Sequence, residues 1–132
     1  MLRLRQYFKR KRKLLQLNNM NGKLSIIPTP LGENVPSEVI PSSVLELTCK
    51  LDTFVVEELR SARRFLSKAG LKGKIDSLSL YVLNEHTSSE EVEKYLELFK
   101  NGKNVGLISE AGLPAVADPG ASLVSIAHKN DI

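Results

Sequence analysis

The stretch that decides the fold is VGLISEAGLPAVADPG, residues 105–120. It opens with an apolar run of the length of a buried strand and continues into residues rich in glycine, proline and acidic groups. We interpret it as a strand that enters a loop ending where a helix begins, which is where open α/β sheets bind ligands. The two prolines and two glycines fix the path of the loop and leave little side-chain bulk beside the main chain.

The rest of the chain alternates between strand and helix patterns. Strands are predicted over residues 23–27, 53–56, 78–83 and 104–109, and helices over residues 42–49, 59–69, 88–101 and 120–129. The strands are apolar on both faces, which favours an α/β fold with a parallel sheet, helices on both faces and right-handed crossovers. The pattern stops after a helix where another strand would be due, and so predicts an incomplete architecture.

Composition favours one compact domain, since the chain has 132 residues of which 42% are hydrophobic. The single cysteine, Cys49, excludes an intramolecular disulfide. No apolar run approaches the roughly 20 residues of a membrane-spanning helix. These features predict a cytoplasmic protein that does not enter a membrane.

Charge divides the chain into two parts. Residues 1–22 contain seven Lys or Arg and no acidic residue, whereas residues 23–132 contain twelve basic and fifteen acidic residues. We predict a disordered basic extension over 1–22 and a folded α/β domain over 23–132. Contact with nucleic acid, organelle targeting and membrane contact remain open for the extension, and Met20 is an alternative start.

In a parallel sheet the loops that follow the strands gather at one edge and form one candidate site. Neither a Gly-x-Gly-x-x-Gly motif nor a Walker-type Gly-Lys-Ser/Thr motif is present, which argues against dinucleotide and nucleoside triphosphate sites. No metal is predicted, because His86 is adjacent to Glu85 rather than spaced along a helix face and His128 lies in the last helix.

Four motifs at this edge occur in a recognisable order. They are Pro28-Thr29-Pro30-Leu31-Gly32, Glu57-Glu58-Leu59-Arg60, Asn84-Glu85-His86-Thr87, and Ser109-Glu110-Ala111-Gly112-Leu113-Pro114 with Asp118-Pro119-Gly120. From about Lys23 onward the chain resembles the N-terminal domain of the tetrapyrrole methylase superfamily. It is most similar to the branch that methylates a cytidine ribose 2′-hydroxyl in small-subunit ribosomal RNA.

The resemblance implies an S-adenosylmethionine-dependent methyltransferase that acts as a homodimer on rRNA. Its cofactor would lie in a cleft between this domain and a second α/β domain, which is absent from this sequence. Carried onto this chain, the first and fourth motifs would bind the cofactor. The implied cofactor-binding residues are Pro28, Pro30, Leu31, Gly32, Glu110, Ala111, Gly112, Pro114 and Asp118.

Two motifs differ from the pattern usual in that branch. Glu58-Leu59 stands in place of Asp-Thr, and Glu110 and Leu113 stand in place of Asp and Thr. The two missing threonine hydroxyls bear on the identity of the substrate.

Methyl transfer to a ribose hydroxyl needs near-attack geometry and a group that accepts the hydroxyl proton. Glu58, Glu85 and His86 are the candidates for that group. Arg60 and Arg64, with Lys68, form a basic stripe that meets either RNA phosphates or water. Glu58 has the alternative role of beginning a helix, and Asp118 that of a helix N-cap.

The sequence therefore predicts a methyltransferase, or a fragment of one, that methylates rRNA. A non-catalytic module that binds a nucleotide-like ligand or dimerises is the alternative from another class. A small-molecule tetrapyrrole methylase is a third reading, which the Pro-Thr-Pro-Leu-Gly turn disfavours.

Overall fold

A computed structural model describes residues 2–18, 21–30, 35–109 and 120–132. Its centre is a four-stranded, all-parallel sheet in the order β1-β4-β2-β3. The α/β fold with a parallel sheet is therefore confirmed. The strands are β1 (Leu24–Ile27), β2 (Thr53–Val56), β3 (Ser79–Val82) and β4 (Val105–Ile108). The α-helices are α1 (Leu2–Asn18), α2 (Pro36–Val39), α3 (Ser42–Lys50), α4 (Leu59–Leu66), α5 (Ser89–Lys100) and α6 (Gly120–Lys129).

The sheet has a core on each face, because successive side chains of a strand point to opposite sides. Phe54 and Val56 pack into one core, whereas Val55 between them packs into the other. All four residues of β2 and all four of β4 are buried. This explains why their sequences are continuous apolar runs rather than alternating ones.

Helices cover both faces, as predicted. The core of Phe54 and Val56 is closed by α3 and α4 together with Ile40 after α2. The opposite core is closed by α5 and α6, which contribute Phe99 and Leu123. Of the helices that directly follow a strand, α4 follows β2 and covers the first core, whereas α5 follows β3 and α6 follows β4 and both cover the second.

The glycine of β4, Gly106, packs against the core that contains Phe54 and Val56. Gly106 is paired with Ser25 of β1 on one side and Phe54 of β2 on the other. A Cβ built at this position would lie 2.6 Å from Cδ1 of Ile27 and 2.7 Å from Cδ1 of Phe54. The absence of a side chain at residue 106 therefore makes room for the Phe54 ring.

The fourth helix differs from its prediction at both ends. The spacing of Leu59, Ala62, Leu66 and Ala69 predicts one core-facing stripe. Leu59 is nevertheless 41% exposed, since α4 begins at the edge of the sheet and its first residue lies beyond the strands. The inward face is instead made by Ala62, Phe65 and Leu66. A π-turn over Ser67–Leu71 then follows α4, and it contains Gly70 at a φ of 126°.

The fifth helix begins as predicted. The Ser88 hydroxyl accepts a hydrogen bond from the Glu91 amide, and the Glu91 carboxylate accepts one from the Ser88 amide, which is a capping box. Val92, Leu96 and Phe99 are buried. This cap sets where α5 starts, and therefore how long the loop after β3 is.

Much of the basic extension is helical. Residues 2–18 form α1, and the side chains of residues 3–11 are exposed. Leucine, arginine, lysine and glutamine all have high helix propensity, which favours a helix in this segment. The expected disorder of residues 1–22 and the division of the chain at residue 22 stay predictions.

Replacing Gly106 by alanine tests the packing around β4. We expect Gly106→Ala to lower the free energy of unfolding by about 1–3 kcal/mol, the cost of overpacking a dense core. The reduced backbone entropy of alanine offsets only about 0.5–1 kcal/mol of that cost. Urea denaturation of the two proteins measures the difference.

The double variant Gly106→Ala/Phe54→Leu is the control. Because leucine has no planar ring at the contact, the alanine should cost less in this background than in the parent chain. Equal costs in the two backgrounds would contradict the proposed contact with Phe54.

Candidate functional site

The carboxyl ends of the four strands lie in one row across the sheet. Ile27, Ile108, Val56 and Val82 are paired in register. The residues that follow them therefore leave the sheet at the same edge, as the sequence predicts. Parallel strands are about 4.8 Å apart, so the loop after β3 begins roughly 10 Å from the end of β4.

The end of β4 is a switch point of the sheet. The helices that follow β1 and β2 cover one core, whereas α6, which follows β4 between them, covers the other. Open α/β sheets usually bind their ligands in the crevice beyond the strand ends at such a point. The stretch after Ile108 thus starts at the centre of the site.

Backbone hydrogen bonds fix the floor of this crevice. The Glu57 amide donates to the Ile108 carbonyl at 3.1 Å, and the Leu83 amide donates to the Val56 carbonyl at 2.8 Å. Beside them, Thr29 is buried between Pro28 and Pro30, which are half-buried. The first turn therefore presents a rigid main chain with two positions that lack an amide donor.

Part of the predicted site lies outside the described residues. The structure does describe Pro30 and Ser109, after which two of the loops continue, and the buried Gly120 that begins α6. The predicted residues that lie outside it are Leu31, Gly32, Glu110, Ala111, Gly112, Pro114 and Asp118.

Glu58 is the N-cap of α4. Its carboxylate accepts hydrogen bonds from the Arg60 amide at 2.9 Å, the Ser61 amide at 2.6 Å and the Ser61 hydroxyl at 2.7 Å. The hydroxyl of Ser61, then the amides of Ser61 and Arg60, lower the pKa of the Glu58 carboxyl below its usual value. A carboxylate held in this way is a weak base, so the structure favours the helix-start role for Glu58.

Ser61 is the partner that sequence reasoning missed. The signal was present, because a polar side chain three residues after an N-cap lies where a capping network closes.

The loop after β3 is closed by Asn84 and Thr87. The Thr87 hydroxyl accepts from the Asn84 amide at 2.9 Å, the Thr87 amide donates to the Asn84 carbonyl at 3.0 Å, and the Asn84 side chain accepts from the His86 amide at 2.9 Å. These bonds hold Glu85 and His86 at the tip of the turn. Both side chains are 85% exposed, and Nε2 of His86 lies 3.6 Å from Oε1 of Glu85.

The basic stripe lies on α4 and on the π-turn that follows it. Arg60 and Arg64 lie one turn apart on α4 and are exposed. Lys68 lies in the π-turn and is exposed as well. The contact of this stripe with RNA stays a prediction.

Within the described ranges, no group of three His, Cys, Asp or Glu side chains is arranged to hold a metal ion. In the same ranges, no helix has the length and apolar character needed to cross a membrane.

Comparison with known proteins matches no family model. Among curated proteins, the chain is similar to ribosomal RNA small subunit methyltransferase I from several bacteria. It is 31% identical to the Escherichia coli O157:H7 protein over 107 residues, which are 81% of this chain and 35% of that protein. The corresponding values are 34%, 78% and 43% for Thermotoga maritima, and 32%, 82% and 35% for Haemophilus influenzae. The chain spans less than half the length of each of these relatives.

The cap formed by Glu58 predicts a pH-dependent contribution to stability. Because the pKa of Glu58 is lower in the folded chain than in the unfolded one, its contribution is full above the unfolded value and is lost as the pH falls through the folded value. We expect Glu58→Gln to have a lower melting temperature than the parent chain at pH 7. The difference between the two melting temperatures should become smaller as the pH falls below about 4.3, the usual pKa of glutamate.

Thermal unfolding followed by circular dichroism between pH 3 and pH 7 measures this difference. Glu46→Gln, at an exposed position of α3, is the control for the loss of one carboxylate. If the difference for Glu58→Gln is the same at every pH, the capping account is wrong.

Proposed function

Since the chain is homologous to the N-terminal portion of ribosomal RNA small subunit methyltransferase I, a member of the tetrapyrrole methylase family, we propose that it is the cofactor-binding part of an S-adenosylmethionine-dependent RNA methyltransferase. The observation that carries this proposal is the switch point at the end of β4, where the helices that follow adjacent strands cover opposite faces of the sheet. We also propose that its substrate is small-subunit rRNA and that it acts in the cytoplasm. The homodimer implied by the resemblance stays a prediction.

The groups around the crevice suit S-adenosylmethionine. Ile27, Ile108 and Val56 end the strands there, but their side chains are buried in the core under α3 and α4, so the cofactor would contact the loops that follow them. The first turn would hold the cofactor with Pro28, Pro30, Leu31 and Gly32. The loop after β4 would hold it with Glu110, Ala111, Gly112, Pro114 and Asp118, whose two carboxylates suit the positive charges of the ligand.

When bound, the cofactor supplies an electrophilic methyl group. The protein must then place the ribose hydroxyl in line with that methyl group and accept the hydroxyl proton. Glu58 is a poor acceptor, because both of its oxygens already accept hydrogen bonds from α4. We propose His86 as the group that accepts this proton. Glu85 would orient the imidazole and stabilise its protonated form.

The position of His86 fits a group that meets the substrate rather than the cofactor. Its loop begins two strands away from β4, and its side chain is exposed at the tip of a hydrogen-bonded turn. Arg60 and Arg64 lie on α4, which begins between this loop and the end of β4. We assign them to phosphates of the RNA strand that presents the ribose.

Calorimetric titration with S-adenosylhomocysteine tests the cofactor site without requiring RNA. We expect saturable binding in the micromolar range by the 132-residue chain. Gly112→Trp should abolish binding, because an indole would fill the loop after β4. Asn101→Trp, at the opposite end of the sheet, is the matched control and should bind like the parent chain.

Absence of heat at millimolar ligand in the folded parent chain would contradict the proposed site. Binding without methyl transfer to small-subunit rRNA would instead favour the non-catalytic ligand-binding module. The two readouts therefore separate cofactor binding from turnover.

Removing the imidazole tests the assignment of His86. We expect His86→Asn to lower kcat/KM for methyl transfer to small-subunit rRNA by about 100-fold or more, the lower end of the usual contribution of a general base. Affinity for S-adenosylhomocysteine should not change. His128→Asn, which alters the other histidine of the chain, should have the activity of the parent. Activity within about twofold of the parent in His86→Asn would exclude His86 as the base.

A further inference from the structure

Helix α1 carries a dense positive charge. Seven of the 17 residues of α1 are lysine or arginine, and none is acidic. Residues 23–132 have three more acidic than basic residues, so the body of the chain is negative while its first helix is strongly positive. The function proposed above does not use this helix.

The described side chains of α1 are accessible. Residues 3–11 are exposed along the whole first half of the helix. They include Tyr7 and Phe8, which are 59% and 50% exposed and contact each other edge to face at a centroid distance of 5.7 Å. The helix thus presents cations together with two aromatic rings that a partner can reach.

The arrangement of the cations decides which partner fits. Leu4, Tyr7 and Phe8 lie towards one side of α1, but Lys11 follows them at i+7, i+4 and i+3 and so lies among them. A helix that lies in a membrane surface needs an apolar face free of charge, with its cations on the opposite face. In α1 the cations surround the axis, which suits a polyanion with phosphates on more than one side of the helix.

We propose that α1 is an RNA-binding arm that contacts the phosphate backbone of the substrate RNA with its lysines and arginines. Tyr7 and Phe8 are placed to stack on unpaired bases beside those phosphates. The choice of RNA as the polyanion rests on the proposed function. Since the body of the chain is negative, the positive arm also offsets the long-range repulsion between that body and an RNA strand.

Salt dependence tests the arm directly. Affinity for a fluorescent RNA hairpin with a single-stranded loop is measured by anisotropy at a series of KCl concentrations. The test variant is Lys9→Gln/Arg10→Gln/Lys11→Gln, because glutamine keeps a high helix propensity. Its matched control is Lys50→Gln/Lys94→Gln/Lys129→Gln, which removes the same charge from exposed positions of α3, α5 and α6.

We expect the test variant to bind RNA at least about tenfold more weakly at physiological salt. The slope of log affinity against log salt should become shallower by about 2–3, since each lost phosphate contact removes roughly 0.7–0.9. The control should keep the slope of the parent chain. Circular dichroism verifies that the helix content of both variants is unchanged.

An unchanged slope in the test variant, or an equal loss in the control, would overturn the proposal. So would binding of α1 to phosphatidylglycerol vesicles, lost in the test variant, while RNA affinity stays that of the parent. Titration of the same variants with S-adenosylhomocysteine keeps the two proposals apart. Loss of RNA binding with intact cofactor binding supports the arm, whereas a parent chain that binds RNA through α1 but never binds the cofactor refutes only the methyltransferase.

Discussion

The position of β4 between β1 and β2 is the constraint on which the rest of the structure depends. The strand is buried along its whole length, and it pairs with both neighbours in register. Gly106 lets this happen, since any side chain there would overlap the ring of Phe54 and the end of Ile27. Once β4 is central, its carboxyl end lies at the middle of the sheet edge and its helix lies on the face opposite to those of its neighbours. The crevice is a geometric consequence of that order.

The polar groups of the loops at this edge fall into two sets. One set forms hydrogen bonds within its own loop, and the other is exposed. Glu58, Asn84 and Thr87 each satisfy backbone or hydroxyl groups of their own loop. Those bonds determine where α4 begins and how tight the turn after β3 is. His86 and Glu85 are held at the tip of that turn by its backbone, and their side chains are left exposed. Rigid turns that carry exposed functional groups are a common construction for sites at sheet edges.

The charge of the protein is divided in a similar way. Its basic pI reflects α1, whereas the folded body has an excess of acidic residues. The arginines of α4 lie near the site edge, and the first of them, Arg60, is only two residues after the cap at Glu58. For a polyanionic substrate, this arrangement separates long-range attraction by α1 from local positioning by α4.

The element types, the parallel sheet, the start of α5 and the sheet edge at which the four motifs meet could all be predicted from the sequence. These follow from short-range rules, because the periodicity of apolar residues and the chemistry of caps act within a few positions of the chain. It also predicted the exposed pair of Glu85 and His86 as loop residues. The relation to rRNA methyltransferases came from four motifs in order, and the similarity to curated relatives confirms it.

Only the tertiary structure decided the strand order, the place of Gly106 and the roles of individual polar groups. Strand order depends on contacts between residues far apart in the chain, which local patterns do not specify. The hydroxyl of Ser61 completes the hydrogen bonds of Glu58 and so favours the helix-start role, which the sequence left as one of two. Leu59 left its predicted face because α4 begins beyond the sheet. Helical spacing predicts which residues share a face, but packing against the sheet decides where that helix starts and stops.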